Sequence, residues 1–163
     1  MRKYLRAALF AAGAVAVHAG TASAQTNHSH LGAHLLYATT YEDFGIGAQF
    51  SAPIAYHLEF YPSFDYYFQS PGTRVQGNVD IKYRAFGEKT DWLYVGTGLN
   101  ISSFSVNGAS STRAGWNLLA GAESLKGNIH PFGEMRVTVT DHSRFQVQGG
   151  INVTLGQHSH RGR

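Results

Sequence analysis

Histidine supplies the residues best placed for chemistry in this chain. Two H-x-H elements stand near the ends: His28-Ser29-His30 within NHSH, and His158-Ser159-His160 within HSHRGR. Imidazoles spaced by one residue can share a metal ion, and two such pairs offer four nitrogens to Zn²⁺, Cu²⁺ or Ni²⁺. The expected metal-site residues are therefore His28, His30, His158 and His160, provided the fold joins the two ends. A second cluster is Asp141-His142-Ser143. It holds the residue types of a nucleophilic triad, but a triad needs three side chains converging from separate places. Three neighbours in sequence read more simply as a polar turn, so no catalytic residue is expected. A third set is the run of charges Glu59, Asp65, Asp80, Lys82, Arg84, Glu123, Glu134 and Arg136. These recur at alternate positions, and alternation is the key to the elements that carry them.

Phe145–Leu155, FQVQGGINVTL, shows the pattern most clearly. Phe145, Val147, Gly149, Ile151, Val153 and Leu155 share one face. Gln146, Gln148, Gly150, Asn152 and Thr154 share the other. Period two is the signature of a strand with one apolar and one polar side. Seven further segments read the same way: His30–Thr39, Phe44–Ala52, His57–Phe68, Arg74–Phe86, Trp92–Phe104, Thr112–Glu123 and Ile129–Thr140. Turn residues separate them, including Pro71-Gly72 and Lys126-Gly127-Asn128, and Ser105–Ser111 reads as a small-residue loop. Pro53 is expected to break the second strand, and Pro62 to force a bulge in the third. Eight long strands without helical periodicity predict an all-β fold, an eight-stranded antiparallel up-and-down β-barrel.

The first 24 residues read as a secretory signal peptide. Arg2, Lys3 and Arg6 precede the apolar run Ala7–Val17, and Ala22-Ser23-Ala24 has the form of a cleavage site. Residues 25–163 are then a single barrel domain. Of 13 Lys and Arg residues three lie in that leader, which holds none of the 10 Asp and Glu residues, so the exported part is formally neutral. The charge thus gives no reason to expect a nucleic-acid partner. The chain has no Cys, so no disulfide framework supports it.

A barrel can turn either face inward. A soluble exported barrel would line a cavity with the apolar face and bind a small apolar ligand. A transmembrane barrel would turn that face to lipid and fill its lumen with the polar one. Three features favour the transmembrane form. Gly32, Gly45, Gly47, Gly96, Gly98, Gly115, Gly121 and Gly150 all fall on the polar face, where a narrow lumen needs small residues. The charges on that face, with Arg74 and Arg113 added, have mixed signs and can pair. The central apolar face carries no charge, as hydrocarbon contact requires. Trp92, Tyr94, Tyr61, Tyr67, Phe132, Arg84, Arg136 and Glu134 would then plug the lumen, and no general porin activity is expected.

With stretches such as DWLYVGTGLN (Asp91–Asn100), PFGEMRV (Pro131–Val137) and GGINVTLG (Gly149–Gly156), the chain resembles the small outer-membrane β-barrel proteins, the group of the OmpA membrane domain and OmpX. It departs from that group in ending its last strand at Leu155 with a polar tail rather than at a terminal aromatic residue. The resemblance implies an integral outer-membrane protein with an envelope structural or surface-interaction role and no cofactor. Its partners would be outer-membrane lipids and lipopolysaccharide, with the barrel-assembly machinery and periplasmic chaperones during biogenesis. It also implies periplasmic termini and extracellular loops at Thr40–Asp43, Gln69–Thr73, Ser105–Ser111 and Asp141–Ser143. Some relatives of this kind modify lipid A, but the H-x-S-N pattern of the deacylase type is absent.

Overall fold

A computed structural model describes residues 28–84, 92–141 and 143–155. Eight strands run in chain order: β1 (His30–Ala38), β2 (Asp43–Ala55), β3 (Leu58–Tyr67), β4 (Thr73–Tyr83), β5 (Leu93–Val106), β6 (Ala109–Glu123), β7 (Ile129–Val139) and β8 (Arg144–Thr154). Each pairs antiparallel with the next. β1 also pairs with β8 from His30↔Thr154 to Ala38↔Gln146, which closes the barrel. Closure leaves neither chain-terminal strand with a free edge.

The proline and loop expectations need correction. β2 does not stop at Pro53 but continues to Ala55, with the register shift against β3 falling between these two residues. Pro62 makes no bulge. It lies opposite Val79 in an unbroken register with β4. On the β2 side the ladder is skipped between Gln49↔Ser63 and Ala52↔Phe60 without changing the residue count across it. A ring nitrogen without a hydrogen can sit where no ladder bond is made.

Ser105–Ser111 is likewise not a loop. β5 and β6 pair down to Val106↔Ala109 around the two-residue turn Asn107-Gly108. Both turn residues have positive φ, 48° and 82°. That is the type I′ geometry that follows the twist of a hairpin and favours Asn-Gly. The β6 arm of the hairpin outruns β7, because β6 gains β7 as a neighbour at Trp116↔Val139 and above that point pairs only with β5, whereas the β5 arm stays paired with β4 up to Thr73↔Ser105. The expected turn at Gly87–Asp91, with Phe86, lies outside the described residues.

The barrel is inside-out relative to a soluble protein. Leu31, Leu35, Ile46, Leu99, Ile101, Leu118, Met135 and Ile151 are exposed on the outer wall, Leu35 by 70%. Among the described residues, six acids (Asp43, Glu59, Asp65, Asp80, Glu123, Glu134) and five bases (Arg74, Lys82, Arg84, Arg136, Arg144) are buried inside. An apolar ligand cavity is therefore not what the lumen offers. Exposed aromatics mark both rims of the outer wall: Phe44, Phe68 and Phe145 at one, Tyr56, Tyr83 and Trp92 at the other. Aromatic rings at both ends of an apolar band have the form of the girdles of transmembrane barrels.

The glycines make the narrow interior possible. A Cβ at Gly98 would strike Asp80, one at Gly121 the ring of Tyr94, and one at Gly47 both His34 and Asp65. The outward Gly77 and Gly133 face open space.

Candidate functional site

The lumen is the site that this fold builds, and it is layered. At the rim of the chain ends, the rings of His30 and His130 lie 4.7 Å apart. His130 places Nε2 2.8 Å from the Thr154 hydroxyl and Nδ1 2.7 Å from the Ser124 carbonyl. Above it sits an acid–base–acid triad. Arg84 donates from Nε to Glu59 at 2.6 Å and from Nη2 to Glu123. Ser51 donates to Glu59 at 2.8 Å, and Asn152 to Glu123 at 2.6 Å. Each carboxylate thus accepts a charged and a neutral donor, the condition under which buried charge is tolerable.

The middle layer holds the second cluster. Arg136 donates from Nη2 to Glu134 at 3.1 Å, and the same nitrogen forms an ion pair with Asp80 at 3.0 Å. Glu134 also accepts from the Tyr94 hydroxyl at 3.0 Å and from Gln148 at 2.8 Å. The Lys82 ammonium lies 4.0 Å from Glu134 and makes no hydrogen bond. It is 3.4 Å from the Tyr61 ring centroid and 4.1 Å from that of Tyr94. Two ring faces thus offer a cation the attraction that water would otherwise supply. His34 is held between Asp65, at 2.9 Å, and Gln49.

Many of these bonds join strands that are not neighbours. Arg136 on β7 reaches Asp80 on β4, Tyr67 on β3 donates to Gln146 on β8 at 2.6 Å, and Asn117 on β6 donates to Asn78 on β4 at 2.9 Å. Such bonds cross the lumen, so the side chains that make them obstruct it at several heights.

Most of the residues expected inside are there. Tyr61, Tyr67, Tyr94, Phe132, Arg84, Arg136 and Glu134 are all buried. Two are not. Trp92 precedes β5 and is 45% exposed, so it belongs to the outer girdle. Arg113 is exposed because it sits on the part of β6 that has outrun β7. One inward base escaped the sequence reading. Arg144 begins β8, one residue before the strand was expected to start, and the even-numbered face of β8 would have placed it inside.

Of the expected metal-site residues, His30 is in the rim layer beside His130 and His28 is exposed just before β1. His158 and His160 lie outside the described residues. Among the described residues no three His, Cys, Asp or Glu side chains converge in a metal-binding geometry. Asp141 and Ser143 are exposed between β7 and β8, and His142 lies outside the described residues.

Solved structures with this architecture include the N-terminal β-barrel domain of Pseudomonas aeruginosa OprF. It matches at a TM-score of 0.67 and 15% identity, over 79% of this chain and 98% of that one. The chain has the fold of the small eight-stranded outer-membrane β-barrels. Neisserial surface protein A, NspA, is a second example, at a TM-score of 0.56 and 15% identity, over 78% of this chain and 95% of that one. No protein-family model and no curated protein matches the chain. At this identity the likeness is one of fold, eight antiparallel strands closed into a barrel.

Proposed function

We propose that this protein is an integral outer-membrane barrel that is closed to diffusion and serves the envelope as a structural or surface-contact element, without catalysis. The observation that carries the reading is the charge distribution: eleven buried ionisable acids and bases inside, against a central outer wall of exposed leucine, isoleucine, valine and methionine. Water would not keep that wall exposed on a soluble monomer, whereas hydrocarbon requires it. Export by cleavage after Ala24, insertion by the barrel-assembly machinery with periplasmic chaperones, and contact with lipopolysaccharide belong to the same proposal. So does an outward orientation of the rim bearing the Asn107-Gly108 hairpin.

Cell fractionation and gel migration with and without boiling test it. The expected result is recovery in the outer membrane and a folded band that shifts on heating. A detergent-independent soluble monomer refutes it. In planar bilayers the crossing bonds predict no large, stable conductance, and a porin-like open state would contradict the closed lumen.

A metal site at the chain-end rim is a second proposal. It is favoured by the meeting of the ends there, where the Leu155 amide donates to the Ser29 carbonyl at 2.8 Å. His28, His30, His158 and His160 would be its ligands. Calorimetry with Zn²⁺ that finds no affinity beyond that of a free His-rich peptide removes it.

A further inference from the structure

The lumen opens at the hairpin-bearing rim into a cavity of about 240 Å³ lined by Arg74, Arg113 and Arg144, with Tyr41, Gln69 and Ser111. The three arginines come from β4, β6 and β8, strands that do not pair with one another, so the barrel itself brings them together. Arg74 is 4% exposed and held in place. Its Nη2 is 3.4 Å from Asp43, and its guanidinium carbon lies 3.8 Å over the Tyr67 ring and 4.9 Å over that of Tyr41. Its buried Nε has no hydrogen-bond partner. Arg144 is 9% exposed and spends one nitrogen on Ser102 at 3.1 Å and Asn100 at 3.3 Å.

Among the described residues no carboxylate comes within ion-pair distance of Arg113 or Arg144, and no acid lines the cavity. Glu42 and Asp141 stand on the same rim outside it. The other buried bases sit close to acids; here like charges converge, and the one nearby acid, Asp43, contacts Arg74 alone. A site of this kind is complete when an anion enters it.

We propose that this mouth binds a phosphomonoester or phosphate group. Guanidinium forks match phosphate oxygens, and a dianion with several oxygens can accept from three forks at once, whereas a carboxylate has two oxygens to offer. The proposal deepens the surface-contact reading and rests on it. The phosphate can come from a free anion or from a phosphorylated lipid headgroup, and the two sources are separable.

The test is calorimetric titration of the full chain folded in zwitterionic micelles, with inorganic phosphate in one arm and short-chain phosphatidic acid in the other. The expected result is saturable binding, one per chain, weakened by about tenfold or more in Arg144→Gln and in Arg113→Gln, as loss of a charged fork implies. Lys126→Gln, exposed at the opposite rim, should bind as the parent does. Binding in both arms assigns the site to phosphate from either source, and binding in the second arm alone assigns it to a lipid headgroup. No saturable binding in either arm overturns the site, and so does a loss in Lys126→Gln equal to that in the arginine variants. Arg113 is exposed, so its variant keeps the experiment decisive if Arg144→Gln fails to fold. Heat-shifted migration is read on every sample. A parent protein that shifts but does not bind phosphate loses the site alone, whereas one that never shifts loses the outer-membrane reading beneath it.

Discussion

Leu35 offers the sharpest test of the medium that surrounds the barrel. It lies one residue past the centre of β1, between Ile46 and Gly149, and is 70% exposed on the outer wall. Leu35→Arg places a guanidinium near mid-height. If the wall faces hydrocarbon, the cost at the bilayer midplane is about 2–4 kcal/mol. That lowers the folded-to-unfolded ratio by roughly 30- to 900-fold. Ile129→Arg is the internal control. Ile129 is equally apolar and 58% exposed, but it is the first residue of β7, at the rim. There the same side chain reaches the interface and costs about 0–1 kcal/mol. If the wall faced water, both substitutions would fall within about 0.5 kcal/mol of the parent and neither would depend on height. Reversible urea unfolding in lipid vesicles, followed by tryptophan emission and by gel migration, measures the difference. Equal and small effects at positions 35 and 129 would refute the membrane argument. A large effect at both would show that height is not what the wall senses.

Three further outcomes follow, two from the interior and one from the hairpin tip. Gly150→Ala puts a Cβ against the Ala33 carbonyl and the His34 backbone, which cannot yield as a flexible side chain can. It should cost about 1–3 kcal/mol, the range of overpacking, in the same unfolding assay, whereas Gly77→Ala, facing open space, should change little. Arg84→Met strands Glu59 and Glu123 in the lumen and should cost about 3–5 kcal/mol. Adding Glu59→Gln and Glu123→Gln should recover much of that loss, and no recovery would mean that Arg84 acts by shape rather than charge. Gly108→Val places a β-branched residue at φ 82°. Hydrogen exchange should then quicken across the β5–β6 tip while the unfolding midpoint stays put, because Asn107-Gly108 lies beyond the last rung that β5 shares with β4 and β6 with β7.

The barrel was legible in the sequence because one physical rule acts on every strand. Gln146, Gln148 and Asn152 are buried and Val147, Ile151 and Val153 exposed, as period two required. What escaped it depended on pairing. Nothing in β6 alone announces that Arg113 has passed the last rung of β7, yet that fact turns it from lumen residue to rim residue. Pro53 looked like a stop because a proline cannot donate to a ladder, but the β2–β3 ladder absorbs it beside a register shift. The Asn107-Gly108 turn was readable and was hidden among small residues that suggested a loop. The mouth cavity was not readable at all, since its three arginines lie in different strands and one of them preceded the expected start of β8. The partners within the lumen, such as Arg136 with Asp80, likewise follow from shear and closure and not from spacing.

The meeting of the chain ends has a consequence for how the molecule is made. Thr154 pairs with His30, and the Leu155 amide reaches the Ser29 carbonyl, so the pairing of greatest sequence separation is also the one that closes the circle. Chains rich in distant pairings fold slowly, because loop entropy is lost before contacts form. β1 must therefore wait with one edge open until β8 has been made, and it is the strand most exposed to wrong pairing during that wait. A circular order cut at Asn107-Gly108 and joined across Ser29 and Leu155 would keep the strand ladders. It would make the seam a local hairpin and pass the long wait to β5 and β6.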